Sequence, residues 1–283
     1  MKVKISAIIL SFVLISSCSF FDGFDEIPMY LSFSDDVNLT TRSDEGADTE
    51  GIFAVSVFAD GFNIGVFDLP AEVPVLGQGE DTDISVFGVV RNNAQADNSV
   101  AYNFYEPIQF VRPFSAGENV PVDLDFNYRD NINFLYIEDF EGQHRIIENL
   151  DDNPDNAIVQ STDARNGSFS GSITSSDDNP FFEKATLNTF LASDINNTLA
   201  YLELDYKSEV PFRIGILGII GNQGQRLYKL QVSPSDDWNK LYLDLTEEIL
   251  ANNFTGFKLL FSNLPAEDDF GTVMLDNVKL ITF

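Results

Sequence analysis

Phe53-Ala-Val-Ser-Val-Phe-Ala-Asp-Gly-Phe-Asn-Ile-Gly-Val-Phe67 reads as two short strands folded about one turn. Residues 53–59 and 62–67 are rich in β-branched and aromatic side chains, which fit a pleated, half-buried surface. Asp60-Gly61 between them tolerates positive φ at both turn centres, so the pair is expected as a type I′ hairpin. Working outward, similar runs recur at residues 29–33, 83–90, 101–110 and 120–128, separated by Gly, Pro, Asn and Asp. Pro70, Pro74, Pro107 and Pro113 stand at the margins of these runs, where a missing N–H costs least. Short strands with turn signals between them indicate a sandwich or barrel, not βαβ units. A first domain is therefore expected over residues 27–130.

Residues 131–283 carry a second series of runs, at 134–142, 167–176, 199–207, 212–220, 226–232, 240–245, 257–261 and 273–281. That many strands fit a closed double sheet, and the fold class is all-β. Tyr201-Leu-Glu-Leu-Asp-Tyr206 alternates, placing Tyr201, Glu203 and Asp205 on one face and Leu202, Leu204 and Tyr206 on the other. The acids are expected to face water. Thr246-Glu-Glu-Ile-Leu-Ala251 reads as one or two helical turns, with Thr246 as N-cap and Glu247 and Glu248 where the helix dipole favours them. It is the only helix expected beyond the N-terminal segment.

Composition narrows the function. With 16 basic against 45 acidic residues and a net charge of −29, the chain repels phosphate backbones, which excludes nucleic acid as a partner. Adsorption to anionic headgroups is disfavoured for the same reason. The acids do offer oxygen ligands of the kind Ca²⁺ takes. His144 is the only histidine and lies in Gly142-Gln-His-Arg145, read as a surface turn, with no Gly-x-Ser-x-Gly elbow elsewhere. A Ser-His-Asp triad and a catalytic zinc site therefore have little to draw on. A carboxylate-based glycosidase needs only two acids, and among 45 no pair stands out. No glycine-rich phosphate loop follows a strand.

Lys2 and Lys4 precede an apolar run that ends at Leu14-Ile15-Ser16-Ser17-Cys18, and Cys18 is the only cysteine. The run is shorter than the roughly 20 apolar residues of a spanning helix and has the n- and h-regions of a secretory signal. Apolar Ile15 and small Ser16 and Ser17 before a cysteine resemble the bacterial lipobox. The resemblance implies a signal peptide over residues 1–17 and lipidation of Cys18. Ser19-Phe-Phe-Asp-Gly-Phe-Asp-Glu26 then resembles the acidic export signals of Bacteroidota surface lipoproteins, although in so acidic a chain residues 18–26 also read as a plain solvated tether. Cleavage would leave 283 − 17 = 266 residues with a net charge of −29 − 2 = −31.

The order of Glu138-Asp-Phe-Glu141, Tyr201–Tyr206, Trp238-Asn-Lys-Leu-Tyr-Leu-Asp-Leu-Thr246 and Leu275-Asp-Asn-Val-Lys-Leu280 resembles the framework of galactose-binding-like jelly rolls of carbohydrate-binding modules. The first domain resembles immunoglobulin-like or transthyretin-like sandwiches in strand count alone. The jelly-roll resemblance implies a structural Ca²⁺ joining first and last strands, for which Glu138 or Glu141 and Asp276 are the matching acids; a local turn role for Asp276 competes with it. It also implies an aromatic sugar platform, for which Trp238 and Tyr228, with Tyr206 and Tyr105, are the candidates. Trp238 follows Asp236-Asp237 and opens a strand, where an indole more often covers a sheet edge. Tyr102, Phe104 and Tyr105 form a second aromatic cluster that a buried sandwich face explains as well.

The primary expectation is a lipid-anchored, non-catalytic scaffold or accessory subunit of an outer-membrane β-barrel complex for import, secretion or barrel assembly, held on the outer membrane and facing the cell exterior. A surface glycan-binding lipoprotein is the alternative. A carboxylate-based glycoside hydrolase stands third.

Overall fold

The computed structural model describes residues 27–77, 81–95, 97–142, 146, 148–195, 198–263 and 270–283. Cys18, the acidic tether and His144 lie outside the described residues. An N-terminal lobe is built from β1 (Met29–Thr40), β2 (Ala54–Ala59), β3 (Phe62–Asp68), β4 (Ala71–Val75), β5 (Asp81–Arg91), β6 (Ser99–Ala101), β7 (Ile108–Pro113) and β8 (Asn119–Asn127). They form two sheets, β4-β1-β8 and β3-β2-β5-β6, with β7 also paired to β5. The 53–67 segment is the expected hairpin, with Asp60 at φ 48° and Gly61 at 78°. Pro74 lies inside β4, a strand at the edge of its sheet, where its missing donor leaves no ladder bond unmade. The run expected at 101–110 is interrupted: β6 ends at Ala101, and Tyr102 to Pro107 turn inward before β7 begins.

The second lobe is a jelly roll of β9 (Asn133–Glu138), β10 (Glu148–Asn149), β11 (Val159–Ser161), β12 (Ser170–Thr174), β13 (Glu183–Ala185), β14 (Phe190–Leu191), β15 (Ala200–Ser208), β16 (Phe212–Ile220), β17 (Gln223–Val232), β18 (Ser235–Asp244), β19 (Gly256–Asn263) and β20 (Thr272–Thr282). One sheet has the order β11-β12-β20-β15-β18, with β9 on β20; the other has β10-β13-β19-β16-β17, with β14 on β19. First and last strands are thus joined by direct pairing, Glu138 opposite Val278. Between the sheets lie Leu202, Leu204, Phe212, Ile214, Ile216, Phe257, Leu259, Phe261, Leu275 and Leu280. Each such side chain fully buried contributes roughly 1.5–3 kcal/mol. α1 (Thr246–Leu250) is the one α-helix among the described residues, and none there is long and apolar enough to cross a membrane. Thr246 is not its N-cap. Leu245 holds that position, and the Thr246 hydroxyl instead accepts from the Ala200 amide at 3.0 Å.

The expectation that Glu203 and Asp205 face water is overturned, since both are fully buried beneath the N-terminal lobe. The alternation is as read, with Leu202 and Leu204 in the jelly-roll core. The opposite face, however, is covered by a partner that supplies hydroxyls. Glu203 accepts from Tyr102 and Tyr128 hydroxyls, each at 2.7 Å. Asp205 accepts from Thr49 Oγ1 at 2.6 Å and Asn277 Nδ2 at 3.0 Å. Lys240 Nζ donates to Thr49 Oγ1 and lies 3.8 Å from Glu203 and 3.6 Å from Asp205. Lys279 Nζ donates to the Ala47 carbonyl at 2.6 Å and sits over the Tyr128 ring. The Tyr105 and Tyr242 hydroxyls meet at 3.0 Å, and Asn93 N–H donates to the Tyr242 carbonyl. Tyr201, Tyr242 and Ile281 complete the N-terminal core from the jelly-roll side, so packing runs across the boundary.

Candidate functional site

The other outer face of the jelly roll, on β13, β19, β16 and β17, carries a second cluster of charged and aromatic side chains. Register places Tyr228 beside Gly215 and Leu260, and Glu183 beside Ser262 and Arg213. A bulge at Ile214/Gly215 brings β16 so close to β17 that a Cβ on Gly215 would stand 1.9 Å from the Leu227 carbonyl oxygen, so this position requires glycine. The Tyr228 side chain reaches β13, where its hydroxyl donates to Glu183 Oε1. Arg226 grips both Glu183 oxygens, Nε at 2.8 and 2.9 Å and Nη2 at 2.7 Å. Arg213 stacks its guanidinium 4.1 Å from the Tyr228 ring centroid and donates to Ser262 Oγ.

Glu183 is buried, Tyr228 is half-buried and Arg226 is nearly half exposed. Burial, reinforced by the Glu183 carboxylate, pushes the Tyr228 hydroxyl up to about 12, so it stays a neutral donor across the physiological range. The arrangement is a fixed aromatic ring framed by two planar cations and one carboxylate. The carboxylate is engaged by the Tyr228 hydroxyl and two Arg226 nitrogens, which leaves the aromatic ring and the guanidinium edges as the groups that can meet a ligand.

Trp238 lies elsewhere. It is on β18, the last strand of the other sheet, and its Nε1 donates to Asp163 at 3.0 Å, with Lys207 on the second Asp163 oxygen. The structure therefore does not bring Trp238 and Tyr228 together. Tyr206 packs edge-on against Phe212, and Tyr105 is buried between the lobes. The three acids implied for Ca²⁺ serve as acceptors for backbone amides. Glu138 takes Phe140 N–H, Glu141 takes Ser168 and Phe169 N–H, and Asp276 takes those of Arg165, Asn166 and Asn277. Burial raises the Asp276 carboxyl to about 6. Among the described residues no group of three or more Asp, Glu, His or Cys is placed to hold a metal ion. Sequence reasoning missed Arg213, Arg226 and Glu183. The signal for Arg226 was present, two residues before Tyr228 on one strand and so on the same face.

A scan against protein-family models finds no match, and no curated protein matches the chain. Carbohydrate-binding modules are among the similar solved structures. A mutant of a family 29 module complexed with cellulohexaose is 12% identical, with 54% of this chain and 91% of that one covered at a TM-score of 0.35. Another mutant of that module, complexed with mannohexaose, is 12% identical over 54% and 93% at 0.36. The family 30 module of a cellulosomal cellulase of Clostridium thermocellum is 18% identical over 53% and 93% at 0.37. At these values the function is read from this chain's own residues.

Proposed function

We propose that this chain is a non-catalytic glycan-binding lipoprotein, anchored through Cys18 to the outer membrane and facing the cell exterior. Its jelly roll takes a neutral polysaccharide on the face of Tyr228, Arg213, Arg226 and Glu183. The observation that carries the reading is the half-buried Tyr228 ring held between the Arg213 guanidinium and the Glu183 carboxylate. A sugar ring offers C–H faces to an aromatic and paired hydroxyls to planar polar groups, and a site fixed before binding loses little side-chain entropy. The charge of −29 disfavours an acidic polysaccharide over long range. The anchor and its surface location rest on the lipobox-like run and the acidic residues behind it.

Electrophoresis through gels containing hydroxyethylcellulose or glucomannan tests the site. Retardation by one of them, abolished by Tyr228→Ala and kept by Trp238→Ala, is expected. A second reading, the scaffold on an outer-membrane β-barrel complex, is favoured by the bonded lobe interface, which makes a stiff adaptor. Unretarded wild-type protein that co-purifies with a stoichiometric barrel partner in mild detergent would put that reading first.

A further inference from the structure

The end of the N-terminal lobe at which the described chain starts is apolar and open. Ile27, Phe62 and Leu76 are 61%, 75% and 56% exposed. They come from three segments that the fold gathers. Pairing of Met29 with Val75 sets Ile27 and Pro28 beside Leu76 and Gly77. Gly117 N–H donates to the Pro28 carbonyl at 2.9 Å, and Ile27 reaches alongside Gly117. Phe62, Ile64, Leu76 and Gly77 line one concavity of about 350 Å³, together with Asp60 and Asp81. Gly77 in turn lies against the Phe114 ring. Exposed apolar side chains drawn from several segments into one patch mark a surface that meets another apolar phase.

The length of chain before Ile27 says which phase. Cys18 stands 27 − 18 = 9 residues earlier, and nine residues span at most about 32 Å even fully extended. An acyl group on Cys18 therefore keeps this end of the lobe next to the bilayer. We infer that the Ile27–Phe62–Leu76 tip docks into the interfacial region of that bilayer as a second, non-covalent contact beside the lipid. The inference rests on the lipid anchor proposed above. Asp60 and Asp81 at the same tip select zwitterionic over anionic headgroups. The lipid holds the chain on the membrane, and a tip contact would fix the tilt of the body on it.

The test uses the full chain purified from a bacterial host that lipidates it, reconstituted into phosphatidylcholine vesicles with or without brominated acyl chains. Phe62→Trp adds an indole at a position exposed enough to accept it, and Leu76→Trp provides a second. Val159→Trp, at a position 58% exposed on the jelly roll, is the control. The emission added by Phe62→Trp and Leu76→Trp is expected to shift to the blue and to fall about twofold in brominated vesicles, as for an interfacial side chain. That added by Val159→Trp is expected to stay unchanged. Vesicles that float with the protein while neither tip variant is quenched, or while Val159→Trp is quenched as strongly, would overturn the docking and leave the anchor standing. Protein that fails to float and carries a free Cys18 thiol would overturn the anchor, and the docking with it.

Discussion

The two outer faces of the jelly roll use nearly the same side chains to opposite ends. On one, Glu203 is met by two tyrosine hydroxyls, with Lys240 and Lys279 close by, and the whole is sealed under the N-terminal lobe. On the other, Glu183 is met by one tyrosine hydroxyl and Arg226, with Arg213 stacked beside them, and part of the cluster is open to water. The covered face is sheltered from water, so its charges interact strongly and any unmatched one is costly. At the open face water reaches Arg226 and Tyr228 and screens the ions, while their contacts to Glu183 keep them in place. Solvent access, and not residue type, separates a lock from a recognition surface.

The largest expected effect breaks the lock. Glu203→Ala leaves the buried Tyr102 and Tyr128 hydroxyls without their acceptor and removes the negative charge 3.8 Å from Lys240, and should lower stability by about 3–5 kcal/mol in urea melts. A loss below about 1 kcal/mol would mean that water already reaches this face.

Next is a pH effect. Burial, with the neighbouring Lys240 charge, depresses Lys279 to about 8 from 10.5. Between those values the folded chain has given up the proton and the unfolded chain still holds it, so stability should rise with pH over that window. The gain relative to Lys279→Met should approach about 3 kcal/mol if the shift is fully expressed. Parallel stability profiles for the two proteins between pH 8 and 10 would show that Lys279 is solvated. Above pH 10 the buried tyrosines Tyr102 and Tyr128, whose hydroxyls burial pushes well above their usual range, oppose further gain.

A smaller loss of about 1–2 kcal/mol is expected for Tyr102→Phe, which removes one of the two hydroxyl donors to Glu203 and keeps the ring packing. The smallest belongs to the open face. Glu183→Gln should change stability by about 1 kcal/mol or less, because its Arg226 partner is nearly half exposed, yet weaken glycan retention by loosening Tyr228 and Arg226. A larger loss of stability than for Tyr102→Phe would reverse the ranking of the two faces.

Much of this contrast lay in the sequence, but not its sense. The Asp60-Gly61 hairpin, the run at 212–220 and the alternation in Tyr201–Tyr206 were legible because turn chemistry and a period of two are local properties. Whether the polar side of that alternation meets water or a neighbouring lobe is set by Tyr102 and Tyr128, some 100 and 75 residues away along the chain. No window of sequence reports that pairing. β13, only Glu183–Ala185, is too short for a periodic signal, and so Glu183 was missed with it. Trp238 drew attention through rarity, yet its Nε1–H is committed to Asp163. Tyr228 was chosen for its aromatic ring, and what holds that ring, Arg213 and Glu183, is brought beside it only by strand register.

Isothermal titration of the wild-type chain and Tyr228→Ala with soluble glucomannan, after matched thermal melts confirm that both are folded, tests the recognition surface most directly. Saturable heat for the wild type and none for the variant is the predicted result. Equal heats for the two proteins would contradict it.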